Sequence, residues 1–279
     1  LFISDYFEKI GFYNYWQITF IFLFFILMIL NFLLLTIKEA TKKSLNKNEL
    51  NLIRNSKISI FGKHINIILS WMFETIIIPI YDFFKKNGLS IGIGLLAFLF
   101  LFKIGEAFLG RMSLIFYKEI GFTKSDIGIF SKGLGWVTTI LFTLIGGILT
   151  VKIGLVRSIF IAGIFMAITN LLFSLLFWTG KNYIIFSIAV ILDDLAAAFA
   201  TVAFVAFISV LVNRQYTATQ YALLASIGTL GRTTLASSSG SLVDYLNGDW
   251  GLFFIITCLM VIPSLILIFF LKGKIKSLN

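Results

Sequence analysis

The sequence predicts an all-α membrane protein, a bundle of helices that cross a bilayer several times. Three observations predict it. Of the 279 residues, 59% are hydrophobic and the mean hydropathy is +0.99, whereas soluble domains are about 45–50% apolar. The apolar runs are about 20 residues or longer, which suits a helix crossing ~30 Å of hydrocarbon and is too long for a barrel strand; in lipid only those two structures satisfy their own backbone groups. Several runs also hold charges deep inside them: Lys103 and Glu106 in one, Asp193 and Asp194 in another, Arg232 in a third. A charge at the bilayer centre costs about 2.5–3.5 kcal/mol on insertion scales, so these side chains should face a bundle interior or a watery cavity, as in a transporter.

Seven spans are expected, at 17–37, 89–109, 126–150, 158–178, 182–212, 219–246 and 251–271. No secretory signal is expected ahead of the first. The fifth is too long for ~30 Å of hydrocarbon, so it should tilt or project. It carries a small-residue face, Ala196, Ala197, Ala198, Ala200, Ala203 and Ala206, which allows close helix approach. Gly228, Gly231 and Gly240 should do the same in the sixth, where Ser237, Ser238 and Ser239 add hydroxyls and Asp244–Tyr245 mark a span end. The connection 38–88 opens with a Lys-rich stretch and turns apolar from Ile65 to Ile80. That second part is too short to cross. Asn66, Ser70 and Glu74 recur every four residues, which suggests an amphipathic helix in the membrane interface, anchored by Trp71, Lys85 and Lys86.

Charge sets the orientation. With seven spans, 15 of the Lys and Arg residues outside the apolar runs fall on one side and 5 on the other. The first side is cytoplasmic by the positive-inside rule, so the amino terminus is expected outside and the carboxy terminus inside. The net charge of +10 is then explained by anionic lipid, not by nucleic acid. Cys258 has no partner for a disulfide and His64 is the single histidine, which argues against a zinc site; no cofactor is expected.

The buried charges are the candidate site. Lys103 and Glu106 are three residues apart and share a helix face, Lys132 lies two turns into the next span, and Arg232 lies near mid-membrane. On the functional reading, Arg232 and Lys103 attract an anionic group while Glu106, Asp193 or Asp194 carries a proton, since adjacent carboxylates in low dielectric disfavour double ionisation. The alternative is that these residues are ion pairs that fix helix register.

Two stretches carry a family resemblance. Gly147-Ile-Leu-Thr-Val-Lys152-Ile-Gly154-Leu-Val-Arg157 resembles a worn copy of the Major Facilitator loop motif, with Val151 where an acid is usual. Tyr216-Thr-Ala-Thr-Gln220-Tyr-Ala-Leu-Leu-Ala-Ser226, followed by Gly231-Arg232, resembles the signature of AmpG-type anhydromuropeptide permeases of that superfamily. Lys103-Ile-Gly105-Glu106, Phe116-Tyr117, Gly121-Phe122-Thr123, Ala203-Phe-Val-Ala206, Trp250-Gly-Leu-Phe-Phe254 and Pro79-Ile-Tyr-Asp82-Phe83-Phe84 agree in order.

The resemblance implies a twelve-helix carrier built of two halves. Residues 1–37 would hold the last helix of the amino-terminal half, 38–88 the cytoplasmic linker, and 89–279 the carboxy-terminal six-helix half. Five further helices of the same transporter would precede them. It also implies proton-driven import of N-acetylglucosamine-anhydro-N-acetylmuramic acid and its peptides across the bacterial inner membrane for wall recycling, by a monomer. Gln220 then joins Lys103, Glu106, Asp193, Asp194 and Arg232 on the expected substrate and proton pathway. Three rivals stay open: a carrier of acetyl-CoA or another organic anion, an intramembrane enzyme in which Asp193-Asp194 holds a magnesium diphosphate, and a remnant without transport. The enzyme reading is disfavoured because no second aspartate cluster and no Ser/His or Cys/His pair accompanies it.

Overall fold

The computed structural model of the chain describes residues 10–11, 14–36 and 73–276. The Lys-rich stretch and the expected interfacial positions Asn66, Ser70 and Trp71 lie outside the described residues. The chain divides into two compact units, 1–50 and 51–279. In the first, α1 (Tyr15–Thr36) exposes Phe20, Phe24, Leu27, Phe32 and Leu35 by more than half. A helix apolar all round is suited to lipid rather than to one packed face.

The second unit opens with a π-helical turn, Phe73–Ile77, and then α2, Ile78–Asn87. Pro79 sits in its first turn, where a missing N–H costs nothing. Lys85 and Lys86 sit in its last turn, at the negative end of the helix dipole. Gly88 ends it with φ 78°, a conformation that needs glycine. Next come α3 (Leu89–Leu101) and α4 (Ile104–Glu119), together one apolar length of 31 residues interrupted at Phe102–Lys103. A short α5 (Lys124–Ile127) and a π-helical segment (Gly128–Gly133) lead into α6, Leu134–Ile153. Then follow α7 (Leu155–Thr179), α8 (Tyr183–Leu211), α9 (Thr217–Ala236), α10 (Ser239–Tyr245), α11 (Trp250–Leu259) and α12 (Ile262–Lys276).

Among the described residues, five helical lengths are long and apolar enough to cross a membrane: 16–36, 89–119, 155–179, 183–211 and 250–273. The other two expected spans are also helical, for different local reasons. Residues 126–150 form α5, the π segment and α6, of which Val137–Ile153 is the apolar part. Residues 219–246 form α9 and α10, broken at Ser237–Ser238 and diluted by Thr, Ser, Gly and Arg.

Helix caps fix the entries. Asn182 accepts hydrogen bonds from the N–H groups of Ile184 and Ile185 at the start of α8, and Asp249 accepts one from Leu252 N–H at the start of α11. Thr123 and Asp126 form a reciprocal capping box: Asp126 Oδ2 accepts from Thr123 N–H at 2.9 Å and Thr123 Oγ1 accepts from Asp126 N–H at 3.1 Å. Lys181 reaches the same carboxylate at 3.6 Å, so the turn before α8 is tied to the turn before α5.

Packing centres on α7, which touches α4, α6, α8, α11 and α12, while α3 packs against α9 and α12. Two apolar cores result, one towards each end. Phe98, Phe102, Phe204, Phe207 and Leu224 belong to one. Phe116, Tyr117, Phe173, Phe186, Trp250 and Phe254 belong to the other. The small residues expected to allow close approach do so at particular points. Ala196, Ala200 and Ala203 are fully buried. A Cβ on Gly231 would overlap the Phe100 carbonyl, so α9 and α3 meet backbone to backbone there. Gly240 has no such crowding.

Candidate functional site

Between the two cores lies a polar layer, and the break at Phe102–Lys103 creates its first member. The backbone leaves helical geometry at Lys103, with φ −101° and ψ 16°. Glu106 then falls in the first turn of α4, where the positive end of the helix dipole favours a carboxylate. Lys103 Nζ lies 3.1 Å from Glu106 Oε2 and donates to Thr201 Oγ1 of α8 at 2.7 Å. Arg232 Nη2 of α9 approaches Glu106 Oε1 at 3.9 Å. Glu106 therefore sits between two cations brought from different helices. Lys103 and Glu106 are nearly buried, whereas the Arg232 side chain is 50% exposed.

The two aspartates are parted by helix geometry. Neighbours on an α-helix point about 100° apart, so Asp193 and Asp194 serve different interfaces. Asp193 Oδ1 accepts a hydrogen bond from Thr169 Oγ1 of α7 at 3.2 Å, and both Glu106 and Asp194 lie within electrostatic range of it. Asp194 Oδ2 accepts from Thr138 Oγ1 of α6 at 2.7 Å and faces Gly135, where a Cβ would come within 3.1 Å of it. Asp193 thus joins the Lys103–Glu106–Arg232 group, and Asp194 belongs to the α6–α8 contact that follows the π-helical segment. Among the described residues no cluster of His, Cys, Asp or Glu could hold a metal ion. The side chain of Lys132 lies outside the described residues.

Gln220 is placed elsewhere. It is 2% exposed, and both ends of its amide are engaged by the fold. Its Oε1 accepts from Asn213 N–H at 2.7 Å, while its Nε2 donates to the Pro79 carbonyl at 2.9 Å and to Asp82 Oδ2 at 3.2 Å. Asn213 Nδ2 also donates to Asp82 Oδ2, at 2.9 Å. Gln220 therefore fastens α2 to the turn between α8 and α9.

Sequence reasoning missed Thr201, Thr169, Thr138 and the Asp82–Asn213 pair. Threonine in an apolar helix gives little signal, because its hydroxyl can satisfy itself on its own helix, as Thr201 does by donating to the Ala197 carbonyl. It missed Asn170 as well. That side chain is 1% exposed, and its Nδ2, which faces Gly105, makes no hydrogen bond to the described residues.

No protein-family model matches the chain. Curated proteins do. The chain is 31% identical over 263 residues to "Putative transporter AmpG 4" of Rickettsia conorii, covering 94% of this chain and 58% of that protein. It is 32% identical over 196 residues to the "Anhydromuropeptide permease" of Escherichia coli K12, covering 70% of this chain and 39% of that one. It is 26% identical over 264 residues to "Putative transporter AmpG 3" of Rickettsia typhi, covering 95% and 59%. The chain thus spans between two fifths and three fifths of the length of these relatives.

Proposed function

As the chain belongs to the AmpG-type transporters, we propose that it is the carboxy-terminal part of a secondary carrier that takes up anhydromuropeptides with protons. The cargo class is N-acetylglucosamine-anhydro-N-acetylmuramic acid with or without peptide, brought across a bacterial inner membrane. In this reading 1–37 is the last helix of the amino-terminal half, 38–88 the linker, and 89–279 the half that supplies the cationic site. The acting unit is a monomer completed by the helices that precede these in the relatives.

One observation carries the reading: Glu106 is flanked by Lys103 at 3.1 Å and Arg232 at 3.9 Å, with Asp193 in range and Arg232 half exposed. Counted over Lys103, Arg232, Glu106 and Asp193, the group is neutral when both acids are ionised, with Asp194 held apart on its hydrogen bond to Thr138. Protonation of Asp193 leaves one positive charge in excess, and the exposed guanidinium can present it to a carboxylate in bidentate fashion. Proton and anion would then load together without net charge accumulating in low dielectric. The α9 face around Arg232 is polar: Ser226, Thr229, Thr233 and Ser237 are exposed beside it, the last three donating to carbonyls of their own helix.

The test is accumulation of the labelled anhydro-disaccharide in cells lacking their resident permease, with the chain expressed together with whatever precedes it in its reading frame. Arg232→Ala should abolish accumulation at an unchanged amount of protein in the membrane. Normal accumulation removes the anion site from Arg232. Competition by acetyl-CoA but not by the anhydro-disaccharide moves the cargo to another organic anion.

A further inference from the structure

We propose that the cleft between α2, α3 and α9 is a binding site for one anionic phospholipid, with an acyl chain in the cleft and the phosphate on Lys85 and Lys86. This stands apart from the transport reading and does not use its residues. A cavity of about 110 Å³ lies between Pro79, Ile80, Phe83 and Phe84 on one side and Leu96, Leu223 and Ile227 on the other. Its walls are apolar, so hydrocarbon fits it better than water, which needs two or more polar partners.

The cavity is not slack packing that α2 could close by moving inward. Gln220 bonds to the Pro79 carbonyl and to Asp82, and Asn213 bonds to Asp82, which holds α2 at a fixed distance from α9. Gly92 lets the Phe84 ring lie directly on α3, since a Cβ there would come within 2.6 Å of Phe84 Cδ1. The cavity opens at Ile80, which both lines it and is exposed. Ile77 and Tyr81 are exposed beside that opening, the pattern of a helix face that meets a lipid interface.

Charge selects the occupant. Asp82 is the sole acid of α2, and its Oδ2 already accepts two hydrogen bonds from within the bundle. Lys85 and Lys86 follow one turn later and are exposed, and Arg214, next to Asn213, is exposed as well. Among the described side chains, the surface beside the cavity is therefore cationic, with the Asp82 carboxylate turned inward. A zwitterionic lipid would gain little from it, and a free phosphate would leave the apolar walls unused.

Native mass spectrometry of the detergent-purified chain, titrated with dioleoylphosphatidylglycerol or dioleoylphosphatidylcholine, tests the site. The first phosphatidylglycerol should bind about 25-fold tighter, from roughly fivefold per lysine. Lys85→Glu with Lys86→Glu should remove that preference. A phosphatidylglycerol with a diazirine on its acyl chain should label Phe84, Leu223 or Ile227 of the unmodified protein. Equal binding of the two lipids, a preference that survives the double substitution, or labelling confined to other helices overturns the proposal. Displacement of the first lipid by glycerol 3-phosphate alone also overturns it, because the chain would then contribute nothing.

Discussion

Replacing Gln220 by alanine separates a structural role from a substrate role. The side chain is 2% exposed and makes three hydrogen bonds, to Asn213 N–H, the Pro79 carbonyl and Asp82. Losing each neutral bond in a buried setting costs about 1 kcal/mol, and losing the one to a carboxylate about 1.5–3 kcal/mol. Gln220→Ala should therefore destabilise the helical unit by about 3.5–5 kcal/mol, which is large for one residue. Gln220→Glu should behave similarly at neutral pH. It keeps an oxygen for Asn213 N–H but sets a second carboxylate against Asp82. Lowering the pH should recover stability, because a proton shared between the two acids relieves the repulsion and restores a donor. Unfolding in mixed detergent micelles, followed by far-ultraviolet circular dichroism, measures both variants. An alanine variant that unfolds like the parent yet loses transport would refute the reasoning and return Gln220 to the cargo pathway.

Three other substitutions test the rest of the structure. Gly231→Ala places a methyl group onto the Phe100 carbonyl; it should part α9 from α3 at a cost of about 1–3 kcal/mol, and unchanged unfolding would show that the helices do not meet there. Trp250→Phe removes the 2.6 Å bond from its Nε1 to Glu119 Oε2 while keeping a ring in the core, so the loss in the same unfolding assay should be about 1.5–3 kcal/mol. Asp193→Asn keeps an oxygen for the Thr169 hydroxyl but cannot lose or gain a proton; it should leave cargo exchange intact and abolish proton-driven accumulation, and full accumulation would remove Asp193 from coupling.

Much was legible along the chain because burial in lipid is decided locally. A run such as Thr19–Leu35 must be a helix whatever surrounds it, and the charges at 103, 106, 193 and 232 stand out against apolar neighbours. The break at Phe102–Lys103 and the π-helical segment before α6 were not legible, since both arise where a helix yields to its packing partners. The spacing of Lys103 and Glu106 on one helix face predicted their contact, and the structure places them 3.1 Å apart. Asp193 and Asp194 read as a pair, and they do stay within electrostatic range of each other, but the sequence could not show that the helix turns one towards a hydroxyl of α7 and the other towards a hydroxyl of α6.

By itself the sequence determined the class, the helices and which side chains would be costly to leave in lipid, because each follows from the transfer energy of single residues and short runs. Only the tertiary structure decided which of those side chains meet. That choice depends on which face of each helix its neighbours leave open, and it seats Arg232 beside Glu106 while fastening Gln220 to Pro79 and Asp82.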